Sequence, residues 1–201
     1  MCGRFEQQIG PTQSYELLFA LGIATTRSNA GTAPTIRPTD HALVVTQSEA
    51  IRATFGLQRP GRPLLLNARS ETLSERPTFR RLLDLGRAIV PLSGFYESGP
   101  RGPTLFRARA ASTATAPLLL ATALFDASSD SFVIVTQPAD EVVAPTHSRM
   151  PVLVGTAGAK QWLAHGTFVP EHIALEVHAT TPPASARRGA PDPLFEQGRL
   201  D

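Results

Sequence analysis

Ala88-Ile89-Val90-Pro91-Leu92, Leu118 to Phe125 and Phe132 to Thr136 are the runs whose reading decides the fold. Each is a short apolar stretch fenced by Gly, Pro, Ser and Asp clusters, which is the pattern of strands separated by turns. Thr104 to Arg107 reads the same way. Upstream, Ala42 to Thr46 and Ile51 to Phe55 read as paired strands, and Leu64-Leu65-Leu66 as a short buried run ending at Asn67. Downstream, Pro151 to Val154 and Ile173 to Val177 complete the set. Helices are fewer and scattered. Pro11 to Gly22 starts with Pro-Thr and ends on glycine, Thr78 to Leu85 is closed by Gly86, and Ala159 to His165 surrounds Trp162. Residues 28–40 and 56–63 read as loops. The pattern predicts a single α+β domain over residues 1–201. Its core is a curved, mostly antiparallel sheet or a partly closed barrel, and residues 181–201 form a loosely held Pro/Ala/Arg-rich tail.

The chain has 201 residues, 42% of them apolar and 18% charged, so it is long and apolar enough to bury a core. No apolar run approaches the roughly 18 residues that span a bilayer. The start, Met1-Cys2-Gly3-Arg4-Phe5, lacks the layout of a secretory signal, so a cytoplasmic, membrane-free protein is expected. Net charge is only +2, yet Lys160 is the one lysine among 19 basic residues. Arginine suits phosphate because its planar fork bonds two oxygens at once; a GC-rich genome would give the same bias. With lysine so scarce, imine chemistry falls to Lys160 or to the amino terminus.

Cys2 is the only cysteine, so no internal disulfide forms. By position alone it reads first as a stray cysteine at a frayed end. A small residue after Met1 also favours removal of the initiator methionine. That removal would leave an amine and a thiol on adjacent carbons. Such a 1,2-aminothiol is specific for aldehydes: the amine forms an imine and the thiol closes on it to give a thiazolidine. An α-amino group titrates near ~7.7–8.0, so a useful fraction is neutral and nucleophilic in the cell. Arg4, two residues on, is positioned to favour a thiolate.

Three internal clusters supply further chemistry. In Leu66-Asn67-Ala68-Arg69-Ser70-Glu71-Thr72, Asn67 both donates and accepts hydrogen bonds and can orient an amine. Arg69 shares its face in extended chain and suits a phosphate, while Ser70 and Glu71 read equally as a capping pair. In Gly94-Phe95-Tyr96-Glu97 the carboxyl follows two aromatics, and an apolar setting would raise its pKa into the range of a general acid. Taken singly, Glu97 reads as a solvated glutamate at a strand end. In His147-Ser148-Arg149-Met150-Pro151 the histidine precedes a buried strand and can shuttle protons, or is a plain surface-loop histidine. His41, His165, His172 and His178 have no comparable setting. Neither HExxH nor paired CxxC occurs, so no metal or cofactor is expected.

Together these motifs, in order and with Val135-Thr136-Gln137-Pro138-Ala139 before the histidine, resemble the SRAP family of SOS response-associated peptidases, the abasic-site shield proteins. The likeness runs from residue 1 to about 163. It implies a covalent thiazolidine link between Cys2 and a ring-opened abasic sugar in single-stranded DNA. Asn67 would position the amine, Glu97 would help open the sugar, and His147 would assist imine formation. Arg4, Arg69 and Arg149 would bind phosphates, with Thr136 and Pro34 lining the DNA path. The partner is then single-stranded DNA carrying abasic sites, and the protein acts as a monomer. The family name also implies self-removal of Met1 or a short leader. Two other readings stand beside this one: an autopeptidase whose only act is self-processing, and a non-catalytic relative that binds single strands.

The chain departs from the family pattern at four places, one of them the Val-Asn pattern expected near the C-terminus, which is absent from Thr180–Gly189. Ser98 stands where tryptophan usually follows the Phe-Tyr-Glu run. Phe55-Gly56-Leu57 leads into Gln58-Arg59-Pro60-Gly61-Arg62-Pro63 rather than a tryptophan segment, and the Asn-x-Ala-Pro pattern reads Gly31-Thr32-Ala33-Pro34. Base–aromatic stacking contributes roughly 1–3 kcal/mol per base. A weaker grip is therefore expected, offset electrostatically by Arg59 and Arg62.

Overall fold

The computed structural model describes residues 2–26, 33–59, 61–100, 102–110, 117–169 and 171–179; the expected tail at 181–201 lies outside them. The chain opens with β1 (Arg4–Gln7), α1 (Pro11–Leu21), β2 (Thr25–Thr26) and β3 (Ala33–Ile36). Then come β4 (His41–Thr46), β5 (Glu49–Phe55), β6 (Leu57–Arg59), β7 (Arg62–Leu65) and β8 (Asn67–Arg69). A 3-10 turn (Ser70–Thr72) leads to α2 (Pro77–Leu85), β9 (Arg87–Leu92), β10 (Gly94–Gly99) and β11 (Gly102–Ala108). The rest is β12 (Leu119–Asp126), β13 (Ser131–Pro138), β14 (Arg149–Pro151), β15 (Leu153–Val154), α3 (Thr156–His165) and β16 (Leu175–Ala179).

The expected α+β class and partly closed barrel are what the strands build. β5, β4, β9, β12 and β13 pair antiparallel in that order, and β13 then meets β5 again in parallel through Ser131↔Thr54 and Phe132↔Phe55. That last pairing closes a ring. A second, wholly antiparallel sheet runs β16-β11-β10-β1-β3.

Successive side chains on a strand face opposite ways, and here both faces are covered. Ala88, Val90, Leu92, Phe132 and Ile134 join Phe5, Phe55, Phe95 and Phe106 in one core, between the ring and the second sheet. Ile89, Val133 and Val135 join Leu17, Leu21, Phe79, Leu82 and Trp162 in the other, beneath the helices. This is why the central strands are continuous apolar runs rather than alternating ones. Phe55 lies 5.3 Å from Phe5 and 5.4 Å from Phe132, ring centre to ring centre, so β1 is locked to the ring's closing seam.

Pro91 lacks an N–H, so the ladder around it needs another partner. The buried side chain of Gln7 supplies one. It donates to the carbonyls of Leu43 and Pro91 at 2.9 and 3.0 Å and accepts from the Leu43 N–H at 2.6 Å. Gly86, after α2, is required for close approach. A Cβ there would sit 2.0 Å from the Phe125 carbonyl oxygen.

Several sequence expectations are corrected. The segment read as a loop at 28–40 contains β3, which pairs with β1. The loop expected at 56–63 is the hairpin β6–β7, with Arg59 opposite Arg62 and Gly61 at φ 66°. The frayed amino terminus is instead strand β1, and the Phe-Tyr-Glu motif lies inside a full strand, β10. Pro151 to Val154 is two short strands parted by Val152, whose N–H and C=O bond to Val135 and Thr122.

Candidate active site

Cys2 comes just before β1, and β1 pairs with β10 as Arg4↔Tyr96 and Phe5↔Phe95. Continued outward, this register brings the residues before Arg4 alongside Glu97. Cys2 is fully buried, its sulfur 3.8 Å from the Arg4 carbonyl oxygen. Burial, then the neighbouring Glu97 charge, push the Cys2 thiol far above its usual range. The expected help from Arg4 is corrected here: its guanidinium lies over the Tyr96 ring, 3.9 Å from the centroid, and the sulfur rests as a thiol.

Asn67 opens β8, which is held parallel to β13 through Asn67↔Ile134. Its Nδ2 donates to the Cys2 carbonyl at 3.0 Å. Its Oδ1 is buried and has no hydrogen-bond partner among the described residues. The amide thus grips the backbone of residue 2 with one end and holds an unsatisfied acceptor at the other.

Glu97 is 1% exposed, far from the solvated glutamate that its motif alone suggests. Desolvation raises its carboxyl above the ordinary 4.5, while nearby positive charge, His147 included, pulls the other way. His147 Nδ1 lies 3.7 Å from Glu97 Oε2. The Arg149 N–H donates to that same Nδ1 at 3.0 Å, so in the neutral ring the proton sits on Nε2. On protonation Nδ1 gains a hydrogen that the Arg149 carbonyl, 3.1 Å away, or Glu97 accepts. The ring is placed to take up and return a proton. Asp140 sets the loop that delivers it: Oδ1 accepts from the N–H groups of Val142 and Val143 at 3.0 and 2.9 Å. Sequence reading missed Asp140. Its signal was an aspartate two residues before an apolar pair in a loop, the pattern of an Asx turn.

The residues expected to meet DNA are placed differently from one another. Arg69 is exposed. Arg149 is tied down: its guanidinium holds Glu71 through two bonds of 2.7 and 2.9 Å, and reaches the Thr136 carbonyl at 2.7 Å and hydroxyl at 3.3 Å. This pair links the segments carrying His147 and Asn67 across β13. Ser70 donates to Glu71 at 3.2 Å, but the expected capping role is corrected: Arg69 stands at the N-cap of this turn and no side chain caps it. Thr136 is wholly buried beneath Arg149, so it braces that arginine rather than lining a surface path. A depression of about 290 Å³, lined by Gly3, Arg4, Tyr96, Ser98 and Pro103, opens beside Cys2's strand. The side chain of Pro34 lies outside the described residues. Among the described residues no cluster of His, Cys, Asp and Glu could hold a metal, and no helix is long and apolar enough to cross a membrane.

A small α+β barrel whose second residue is a buried cysteine beside an amide, a carboxyl and an imidazole is the class this fold and site define. The chain belongs to the SOS response associated peptidase (SRAP) family, whose pattern it matches over residues 1–186. It is 28% identical over 116 residues to the abasic site processing protein YoqW of Bacillus subtilis, covering 54% of this chain and 52% of that one. It is 29% identical over 107 residues to the abasic site processing protein YedK of Escherichia coli, covering 51% and 48%. The chain thus spans about half the length of the curated relatives it matches. Among solved structures, a protein of Bordetella bronchiseptica shares the fold with a TM-score of 0.70 at 20% identity, over 90% of this chain and 100% of the other. A phage-related protein from the same organism aligns with a TM-score of 0.62 at 25% identity, over 81% of each.

Proposed function

We propose that this protein captures abasic sites in single-stranded DNA as a thiazolidine on Cys2, once Met1 has been removed. The observation that carries the proposal is the gathering of Asn67, Glu97 and His147 around Cys2; the abasic-site names of its relatives agree with it.

The amine acts first, because the buried sulfur is held as a thiol. Asn67 fixes residue 2 through its carbonyl, and the vacant Oδ1 accepts an N–H of the new amine, aiming its lone pair. Glu97, whose carboxyl burial pushes above its ordinary range, donates a proton to the ring oxygen of the closed sugar, and His147 takes the hydroxyl proton as the aldehyde opens. The amine nitrogen adds to the aldehyde carbon and water leaves, giving an imine. Sulfur then bonds to the imine carbon and the thiol proton passes to nitrogen. One aldehyde and one aminothiol yield one thiazolidine and one water. Arg4 and Arg69 hold flanking phosphates; Arg149, braced by Glu71 and Thr136, does so only by exchanging partners. In this reading the protein works on DNA in the cytoplasm, as a monomer.

Mixing the protein with a single strand containing one abasic site and running a denaturing gel tests this. A slow band from wild type that disappears with Cys2→Ala is expected. An undiminished band from that variant would refute the assignment of the nucleophile.

A further inference from the structure

Gly99 ends β10, paired with Gly102 of β11 and two residues beyond Glu97. Residues two apart on a strand share a face, so a side chain at 99 would point to the same side as the Glu97 carboxyl. The backbone of Thr146 fills that space instead. A Cβ on Gly99 would lie 2.9 Å from the Thr146 carbonyl oxygen, 3.1 Å from its Cγ2 and 3.3 Å from its Cα. Such a Cβ overlaps main chain, which cannot swing aside as the tip of a flexible side chain can. Thr146 immediately precedes His147, and the same segment is braced from the other side. The N–H groups of Thr146 and His147 both donate to the Val143 carbonyl, at 2.8 and 3.0 Å. Val143 is fully buried in the core that contains Cys2. The Ala139 N–H closes the loop on the Ser148 carbonyl at 3.0 Å, and the Asp140 carbonyl accepts from the Ala144 N–H at 2.8 Å. The loop is thus pinned at its mouth, at Val143 and against Gly99. A displacement of Thr146 passes to its neighbour His147, whose Nδ1 lies 3.7 Å from Glu97 Oε2.

We propose that Gly99 is a positioning residue for the capture reaction: by leaving room on β10 for the Thr146 backbone, it sets how close the His147 imidazole stands to the Glu97 carboxyl. The inference rests on the capture reaction proposed above and adds what fixes the spacing of its acid–base pair. Proton transfer needs its groups within hydrogen-bond reach or one water apart, and a misplacement of about 1 Å costs on the order of 10²-fold in rate. A methyl group at position 99 leaves Cys2, Asn67 and the arginines in place and disturbs the proton step through His147.

The test compares wild type, Gly99→Ala, His147→Ala and the double variant in the rate of adduct formation with an abasic single strand, across a pH series. Gly99→Ala is expected to slow the reaction about tenfold or more where His147 is present, and less than about twofold in the His147→Ala background, because residues acting through one another are not additive. Glu97 faces the Cys2 thiol, the terminal amino group and His147, and the His147 charge pulls its carboxyl down. With the imidazole displaced, the alkaline limb of the Gly99→Ala profile moves to higher pH; in the His147→Ala background Gly99→Ala leaves that limb where it is. Affinity for an intact strand, read by fluorescence anisotropy, and the urea midpoint both stay close to wild type. Gly10→Ala is the control: among the described residues nothing lies within 4 Å of a Cβ added there, and it keeps the wild-type rate and profile. Equal slowing in both backgrounds, an alkaline limb that stays in place, a loss of strand affinity that matches the loss of rate, or a variant that no longer folds would each overturn the proposal, since each marks Gly99 as a packing residue. Wild type that forms no adduct would sink the capture reaction itself. Wild-type adducts with an undiminished rate in Gly99→Ala would sink the role of Gly99 alone.

Discussion

Glu97 and the terminal amine impose opposite demands on pH. The amine must be neutral to attack, so capture rises with pH toward ~7.7–8.0. Burial raises the Glu97 carboxyl, and it loses its transferable proton as pH climbs through that raised value. A bell-shaped profile of capture rate is expected, with an acid-catalysed step lost on the alkaline side. Glu97→Gln should slow capture by roughly 10²–10⁴-fold. It should leave stability at neutral pH largely unchanged, because the amide fills the same buried site and removes a carboxyl whose charge burial disfavours. Glu71 has the opposite sign. Its bonds to Arg149 lower its carboxyl to about 2 from 4.5. That pair therefore stabilises the fold above pH 4.5, and the contribution fades as pH falls toward 2. Its carboxylate is 44% exposed, so solvent screens the gain and the effect is modest. Urea midpoints at pH 7 and pH 3 should converge for wild type and Glu71→Gln at the lower pH and separate at the higher.

Strand β1 ties the site to the fold. Phe5 is fully buried against Phe55 and Phe132, three residues from Cys2. Phe5→Ala should cost about 3–5 kcal/mol in chemical denaturation. In what remains folded it should also slow capture, because β1 no longer fixes residue 2 beside Glu97; a variant with full stability would contradict the packing described. Elements with strong local patterns were legible in the sequence: α1 between its proline and Gly22, the β4–β5 pair, and β9, β12 and β13 as apolar runs. β1, β3, β10 and the β6–β7 hairpin were not. Gly94-Phe95-Tyr96-Glu97-Ser98-Gly99 is bounded by glycines and half polar, and its strand exists because β1 and β11 pair on either side. Tertiary pairing overrode local propensity there. The same pairing buries Cys2 and Glu97, whose motifs taken singly suggested a frayed end and a solvated acid.

At the scale of the molecule, the ring and the second sheet bring distant parts of the chain to one place. Cys2 comes from the amino terminus, Asn67 from β8, Glu97 from β10, and His147 from the loop before β14. β13 organises this. Its first residues close the ring on β5, and its last hold β8 on one edge and β14 on the other. The motif order marked which residues matter, yet no spacing along the chain predicted that they converge, since closure depends on a parallel pairing between β5 and β13. The central claim is that residue 2, and no other, becomes bonded to the sugar. Peptide mapping after reaction with an abasic single strand tests it directly. Trypsin releases Cys2-Gly3-Arg4, and that peptide should carry the sugar remnant on both its nitrogen and its sulfur. A remnant found on Lys160, or a Cys2 peptide recovered unmodified from protein that shifted on the gel, would contradict it.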